Sequence, residues 1–289
     1  MRQDDRISLF FPALVTREAR VSSGQPSDVF RPDVPSPARM YDYYLGGKDH
    51  YPADREAAEK VIAGMPPGVV RTAARQNRRF LGRAVRYLAG EAGIRQFLDI
   101  GTGLPTMGSV HEIAKAIATE SRIVYVDNDP IVIAHGREML QGVDQAVIVQ
   151  HDLREPDKIL FDDELRQTLR FDQPVAVLLV AVLHFVSDEE DPRGIIDRLL
   201  APLPSGSHLV ISHATADSFA EVHDVARVYR GATSTMHSRD RAEINAFLTG
   251  LRLVEPGLVW VPQWHPDADT GLSDDPGRSL SYGAVARKP

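Results

Sequence analysis

A chain of 289 residues, 43% hydrophobic and 25% charged, has the composition of an ordinary globular protein, long enough for one large domain with an appended cap. Its formal net charge of -7 leaves no general nucleic-acid footprint, and the lack of cysteine excludes disulfides, thiolate metal sites and cysteine nucleophiles. No run is long and apolar enough to cross a bilayer, and the missing cysteines fit a reducing, cytoplasmic setting.

The opening residues, MRQDDRISLFFPALVTREAR, do not have the pattern of a secretion signal. Asp4 and Asp5 spoil the basic start, Pro12 interrupts the apolar run, and Arg17, Glu18 and Arg20 follow at once. With the Pro- and Ser-rich VSSGQPSDVFRPDVPSP they predict a mobile tail and linker over 1–35. Pro37 behind Ser36 predicts a helix over 37–45, with Ser36 as N-cap and Gly46-Gly47 as its stop. A second helix is expected from Pro52 to Gly64. After Pro66-Pro67, Val70, Ala73, Ala74, Asn77, Leu81, Ala84, Val85 and Leu88 recur at helical spacing, with Asn77 the polar intruder on the stripe. Residues 36–92 therefore form a helical cap or lid ahead of any strand. Within it, RMYDYYLGGKDHYPADRE packs four tyrosines, two adjacent glycines and Lys48, Asp49, Asp54 and Arg55 into a span richer than plain scaffold requires.

Beyond residue 92 the period changes. RQFLDIG, RIVYVDND, QAVIVQHD, PVAVLLVAVLHF and HLVISHA are apolar strand-like runs separated by helical segments such as MGSVHEIAKAIATE and PIVIAHGREMLQG. The unbroken run over 175–183 suits a central strand. GLVWVPQWHP and SLSYGAVARK read as a terminal antiparallel pair. SDEEDP reads as a solvated loop opening a helix, and SRDRAEINAFLTGL as a helix with a capping box at Asp240 and Glu243. The segment 214–238 is expected to complete a pocket wall with the cap. The fold class is α/β: a Rossmann-like, doubly wound, mostly parallel seven-stranded sheet over 93–289, with an antiparallel C-terminal pair and an N-terminal helical cap.

The chemistry concentrates at the strand ends. Asp99, Gly101, Thr102 and Gly103 form a tight turn after the first strand, where a helix N-terminus follows and a ligand backbone can approach closely. Asp127, followed by Asn128, ends the second strand and can take both hydroxyls of a ribose; Asp152-Leu153 ends the third and is placed to meet adenine. Together they predict an adenosine-containing cofactor. A nicotinamide site prefers a third glycine where Thr106 stands, behind Pro105, and the Asp99 carboxylate would repel a pyrophosphate but suit the ammonium of a methionine moiety.

This pattern resembles the class I S-adenosylmethionine-dependent methyltransferases, with Asp99-Ile-Gly101-Thr-Gly103 as their first motif. Three blocks, PSPARMYDYYLGGKDHYPADREAAEKV, NRRFLGRAVRYLAGEAGIRQFLDIGTGLPT and LVEPGLVWVPQWHPD, are similar to an actinobacterial family of such enzymes formerly classed as a domain of unknown function. The likeness covers about 30–289. It implies S-adenosyl-L-methionine as cofactor and a Tyr- and Gly-rich cap over the cofactor cleft. Tyr43, Tyr44 and Gly47 thus join the cofactor-binding set, as do Val182 after the fourth strand and Arg78, which could reach the methionine carboxylate.

Methyl transfer demands positioning of a nucleophile and, for some acceptors, removal of its proton. His184, just past the fourth strand, and His213, at the end of the fifth, are the candidate catalytic residues. Tyr41, Tyr43 and Tyr44 suit lid packing better than base chemistry. His135, His151, His223, His237 and His265 show no ligand spacing, so no metal is expected. The expected function is methylation of a small-molecule acceptor, without nucleic-acid or membrane partners. The alternatives are a non-catalytic S-adenosylmethionine-binding sensor or interaction protein, and an NAD(P)-dependent oxidoreductase.

Overall fold

The structure is a computed structural model and describes residues 31–105, 108–267 and 275–289. The expected tail up to residue 30 and Thr106, the residue at the position of a nicotinamide site's third glycine, lie outside them. Three helices come first: α1 (Pro37–Leu45), α2 (Pro52–Ala63) and α3 (Val69–Gly90). Pro37 stands in the first turn of α1, and Gly46 ends it at φ 86°; the Gly46 and Gly47 N–H groups donate to the Tyr43 and Asp42 carbonyls, a Schellman closure. Ser36 occupies the N-cap without a side-chain bond. Its backbone N–H donates instead to Asp54 at 2.9 Å.

The core alternates as expected: β1 (Gln96–Ile100), α4 (Val110–Ile117), β2 (Arg122–Asp127), α5 (Pro130–Met139), β3 (Ala146–Gln150), α6 (Pro156–Leu160), α7 (Asp163–Thr168), β4 (Ala176–Val180), α8 (Pro192–Leu200) and β5 (His208–Ala214). After β5 come α9 (Val222–Val225), α10 (Arg241–Ala246), β6 (Arg252–Leu253), β7 (Val259–Trp260) and β8 (Ser281–Arg287). Asp191 caps α8, and Asp240 and Glu243 exchange backbone bonds at the start of α10. Among the described residues no helix is long and apolar enough to cross a membrane.

The strand order is β3-β2-β1-β4-β5-β8-β6, with β7 also on β8; β1 to β5 are parallel and β8 runs antiparallel to β5. The sheet has eight strands but seven positions, because β6 and β7 pair with the two ends of β8 on one side. The expected terminal pair is therefore shorter on one side than the sequence suggests. Pro256 has no N–H to donate, and Gly257 turns at φ 85°, so the outer strand breaks in two.

Side chains alternate between two cores. Leu98, Val124, Val177, Leu209 and Ala284 face one; Phe97, Ile123, Leu178, Val210 and Val285 face the other, where Phe80, Leu81, Ala84, Val85 and Leu88 of α3 cover them. The second half of α3 is thus part of the layer covering the sheet. A third cluster joins Met40, Tyr44, Ala58, Val61, Met65 and Val70 to Val222, Val225 and Tyr229 beyond β5. The expected wall formed by 214–238 and the cap is this contact.

A charged clasp fixes the cap to the sheet. Arg39, 2% exposed, lies 3.3 Å from Asp54 of α2 and 3.8 Å from Asp129 after β2, and donates to the Val34 carbonyl at 2.7 Å. Asp54 is fully buried and also accepts the Ser36 and Tyr51 N–H groups. Removing the cation leaves a buried carboxylate without its counter-charge. Arg39→Met should therefore lower unfolding free energy by about 3 kcal/mol. Urea unfolding checks this, and a loss below about 1 kcal/mol would show that the clasp contributes little.

Candidate functional site

The carboxyl ends of β1 to β5 open into one cavity of about 240 Å³, roofed by α1, α3 and the segment after β5. A parallel sheet presents its loops there, and the order reverses between β1 and β4, the usual place for a crevice. Asp99, Gly101, Thr102, Gly103, Asp127, Asn128, Asp152, Leu153, Val182, Arg78, Tyr44 and His184 all line it. Tyr43, Gly47 and His213 do not line it.

The glycine turn is set by two constraints. Gly101 has φ 74° and Gly103 φ 67°, a region that disfavours side chains. A Cβ on Gly101 would also fall 2.4 Å from Cγ2 of Val182, so the β4 loop packs directly on the turn. The Asp127 carboxylate holds it from the other side, accepting the Gly103 N–H at 2.9 Å and the Asp129 N–H at 3.0 Å. Burial pushes Asp127 up to about 6 against these hydrogen bonds. Asp99 is likewise pushed up to about 6 by burial, with the Arg78 charge and the Thr102 hydroxyl opposing. Arg78 is half-buried beside it, and its Nε is buried with no hydrogen-bond partner among the described residues.

At the third strand end, the Asn128 amide donates to Asp152 at 3.0 Å, and Arg154 bonds the same carboxylate through Nε at 2.8 Å. Burial would raise the Asp152 pKa, but the Arg154 bonds outweigh it and hold it below the usual carboxylate range. Leu153 is buried alongside.

The expected unbroken strand over 175–183 stops at Val180. Ala181 turns at φ 56° because its N–H is taken by the Ser212 hydroxyl (2.9 Å) and carbonyl (3.2 Å), and the chain then coils into a 3-10 turn at Leu183–Phe185. Ser212 in turn donates to Asn77 at 2.6 Å, Asn77 donates to the Tyr41 hydroxyl at 3.0 Å, and Tyr41 donates to the Ala74 carbonyl at 2.9 Å. The polar intruder on the α3 stripe is the link between cap and strand ends.

The two candidate histidines differ. His184 lines the cavity and its Nδ1 accepts the Ala214 N–H at 3.3 Å. His213 is fully buried, donating from Nδ1 to the Ala214 carbonyl at 2.7 Å and accepting Arg239 at Nε2 at 3.0 Å. Both ring nitrogens of His213 are engaged, and burial pushes its pKa down to about 3. It supports the site from behind. Arg239, which the sequence did not single out, also binds the Val186 carbonyl at 2.8 Å and Asp188 at 2.6 Å, so it holds the loop that carries His184. Tyr43 faces outward, bonded to Glu59 and beneath Arg71, whose guanidinium carbon is 4.9 Å from the ring centre. Gly47 lies against Asp42, where a Cβ would collide with the carboxylate, so this glycine serves the helix stop.

Residues 23–289 match the model of a family described as S-adenosyl methyltransferase, and the chain belongs to it. It is a methyltransferase, and its cofactor is S-adenosylmethionine. A protein of the DUF574 family from Streptomyces avermitilis is 48% identical and superposes with a TM-score of 0.85, covering 89% of this chain and 98% of that one. A proposed methyltransferase from Thermobifida fusca is 36% identical with a TM-score of 0.82, covering 88% of this chain and 95% of that one. No curated protein sequence matches significantly.

Gly101→Ala should cost about 2–5 kcal/mol, the sum of a left-handed residue and an overpacked contact with Val182. Adding Val182→Ala removes the nearest atom but leaves Cβ 2.8 Å away, so it should recover only part of the steric cost. Equal denaturant midpoints for the single and double variants would mean that Val182 does not constrain the turn.

Proposed function

We propose that this enzyme methylates a small-molecule acceptor in the cytosol. In this reading the cofactor lies along the β1–β3 ends and the acceptor lies beyond β4. The observation that carries it is convergence: three carboxylates, Asp99, Asp127 and Asp152, meet the Gly101–Gly103 turn on one cavity whose other half is apolar. Asp127 has lone pairs left for ribose hydroxyls, and Leu153 offers adenine an apolar face. The unpartnered Arg78 Nε suits the methionine carboxylate, and Asp99 suits its ammonium. When bound, S-adenosylmethionine supplies an electrophilic methyl group on a sulfonium. The chain's contribution is to hold both partners in line and keep water out, with Tyr41 and Tyr44 of α1 as part of the roof. Among the described residues no feature of the site favours nicotinamide, and Asp99 beside the turn argues against a pyrophosphate there.

Asp127→Asn tests the assignment. Calorimetry should show affinity for S-adenosylhomocysteine reduced by about 1.5–3 kcal/mol, the range for hydrogen bonds to charged groups, with the circular dichroism spectrum unchanged. The parent should bind NAD far more weakly. Equal affinity for NAD, or an unaffected variant, would overturn the reading. Release of S-adenosylhomocysteine with candidate acceptors then identifies the substrate.

The raised carboxylates also predict a pH dependence. Between their ordinary value of 3.8 and about 6, Asp99 and Asp127 bind more protons folded than unfolded, so their contribution to stability rises as pH falls. From pH 7 to pH 5 the gain is roughly 1 kcal/mol per carboxylate. Paired urea midpoints at the two pH values should show it, and it should vanish in Asp99→Asn/Asp127→Asn. Cofactor affinity should move the opposite way, falling below about pH 6 as Asp99 loses the charge that attracts an ammonium. A parent whose pH response equals that of the double variant would show that these carboxylates are not the source.

A further inference from the structure

The half of the cavity beyond β4 has a chemistry of its own. The carboxylates that line the cavity, Asp99, Asp127, Asp129 and Asp152, lie at or just beyond the carboxyl ends of β1 to β3. The far half is walled by Val61, Met65, Val70, Phe185, Val222 and Met236. Its polar groups include His184 and the hydroxyls of Tyr44 and Tyr229, 3.1 Å apart.

We infer that the methyl acceptor is a largely apolar molecule that presents an anionic oxygen, a carboxylate or an acidic phenolate, to His184 and the Tyr44–Tyr229 pair. This rests on the methyltransferase reading above. The hydrogen-bond geometry of the histidine carries it. A backbone N–H can only donate, so the Ala214 amide makes His184 Nδ1 an acceptor. A neutral imidazole then bears its hydrogen on Nε2. Burial, with His213, Arg239 and His237 adding to it, keeps the ring neutral. His184 therefore offers a hydrogen and has no free nitrogen to take one. The tyrosines behave alike: two hydroxyls share one hydrogen bond, which leaves one hydrogen for a ligand. Burial raises both, Tyr229 to about 12, so neither accepts a proton near neutral pH as a phenolate would.

Among the described residues, His184 and the tyrosine pair thus supply donors without a base. An amine acceptor would enter as a cation and need a proton removed. A neutral hydroxyl would also need one removed. An oxygen anion needs no proton removed, and it has lone pairs to spare: one accepts a hydrogen bond from His184 Nε2 while another stays nucleophilic. That pair forms the O–C bond as the S–C bond of the bound cofactor breaks, so the charges of anion and sulfonium cancel and no proton moves. The surroundings favour the anion. The Arg239 guanidinium is buried 3.0 Å from His213 Nε2, and the His213 ring lies 5.5 Å from His184, whereas the acidic partner of Arg239, Asp188, is exposed.

Calorimetry on the full chain saturated with S-adenosylhomocysteine tests this with four probes: decanoate, 4-nitrophenolate, decan-1-ol and decylamine. At least one anion should bind about tenfold or more tightly than the alcohol and the amine, as a charge-assisted hydrogen bond requires. Which anion wins tells carboxylate from phenolate. His184→Phe should abolish the preference while leaving S-adenosylhomocysteine affinity within about twofold. If that variant does not fold, Tyr44→Phe/Tyr229→Phe, which removes both hydroxyls, should weaken the preference instead. The inference is overturned if the alcohol or amine binds as tightly as both anions, if neither anion binds, or if the preference survives the variants. Failure of S-adenosylhomocysteine to bind the parent would strike at the methyltransferase reading itself.

Discussion

A guanidinium with almost no access to water joins the N-terminal helices to the sheet, and the site is built around that contact. Arg39 meets Asp54 of α2 on one side and Asp129 on the other. Asp54 fixes the start of α1 through Ser36 and the start of α2 through Tyr51. Asp129 caps α5 and donates its N–H to Asp127, the carboxylate that holds the glycine turn. A buried ion pair is poor evidence of net stability, since two charges must be desolvated to form it. Here it fixes position: Tyr41 and Tyr44 of α1 face the cavity only if α1 sits at this height above β2.

The strand ends were legible because each carries a short polar code at the end of an apolar run. The sequence alone puts Asp99, Gly101, Asp127 and Asp152 on one edge, and the sheet brings them together. The rich stretch 39–56 was legible as unusual but not in its parts. Several of its groups are used within the stretch: Arg39 pairs with Asp54, and Asp42 binds the His50 ring at 2.9 Å and the Asp49 N–H at 3.0 Å. Periodicity tells which face of a helix is buried, but not which of several tyrosines meets a cavity; Tyr41 and Tyr44 do and Tyr43 does not. Hydropathy likewise gave no sign that the run 175–183 would turn at Ala181, because the cause is a serine on the neighbouring strand. Arg239 was invisible for the same reason: its partners, Leu183, Val186, Asp188 and His213, are distant in sequence.

The histidines show how burial and hydrogen bonding assign a role that residue type leaves open. His213 and His184 end adjacent parallel segments and look alike in the sequence. One has both nitrogens spent and no path to the cavity; the other keeps one nitrogen for whatever enters. The buried cation behind them helps keep both rings neutral.

The broken outer strand has a meaning beyond the local chain reversal. A sheet grows by offering a neighbour an unbroken ladder of N–H and C=O groups. On this side of β8 the ladder is already taken by two fragments of two residues each, parted by Pro256 and Gly257. Neither fragment presents enough backbone in register to seed another strand. That flank of the enzyme therefore resists strand-to-strand polymerisation through chain geometry, with no need for a guard of surface charge.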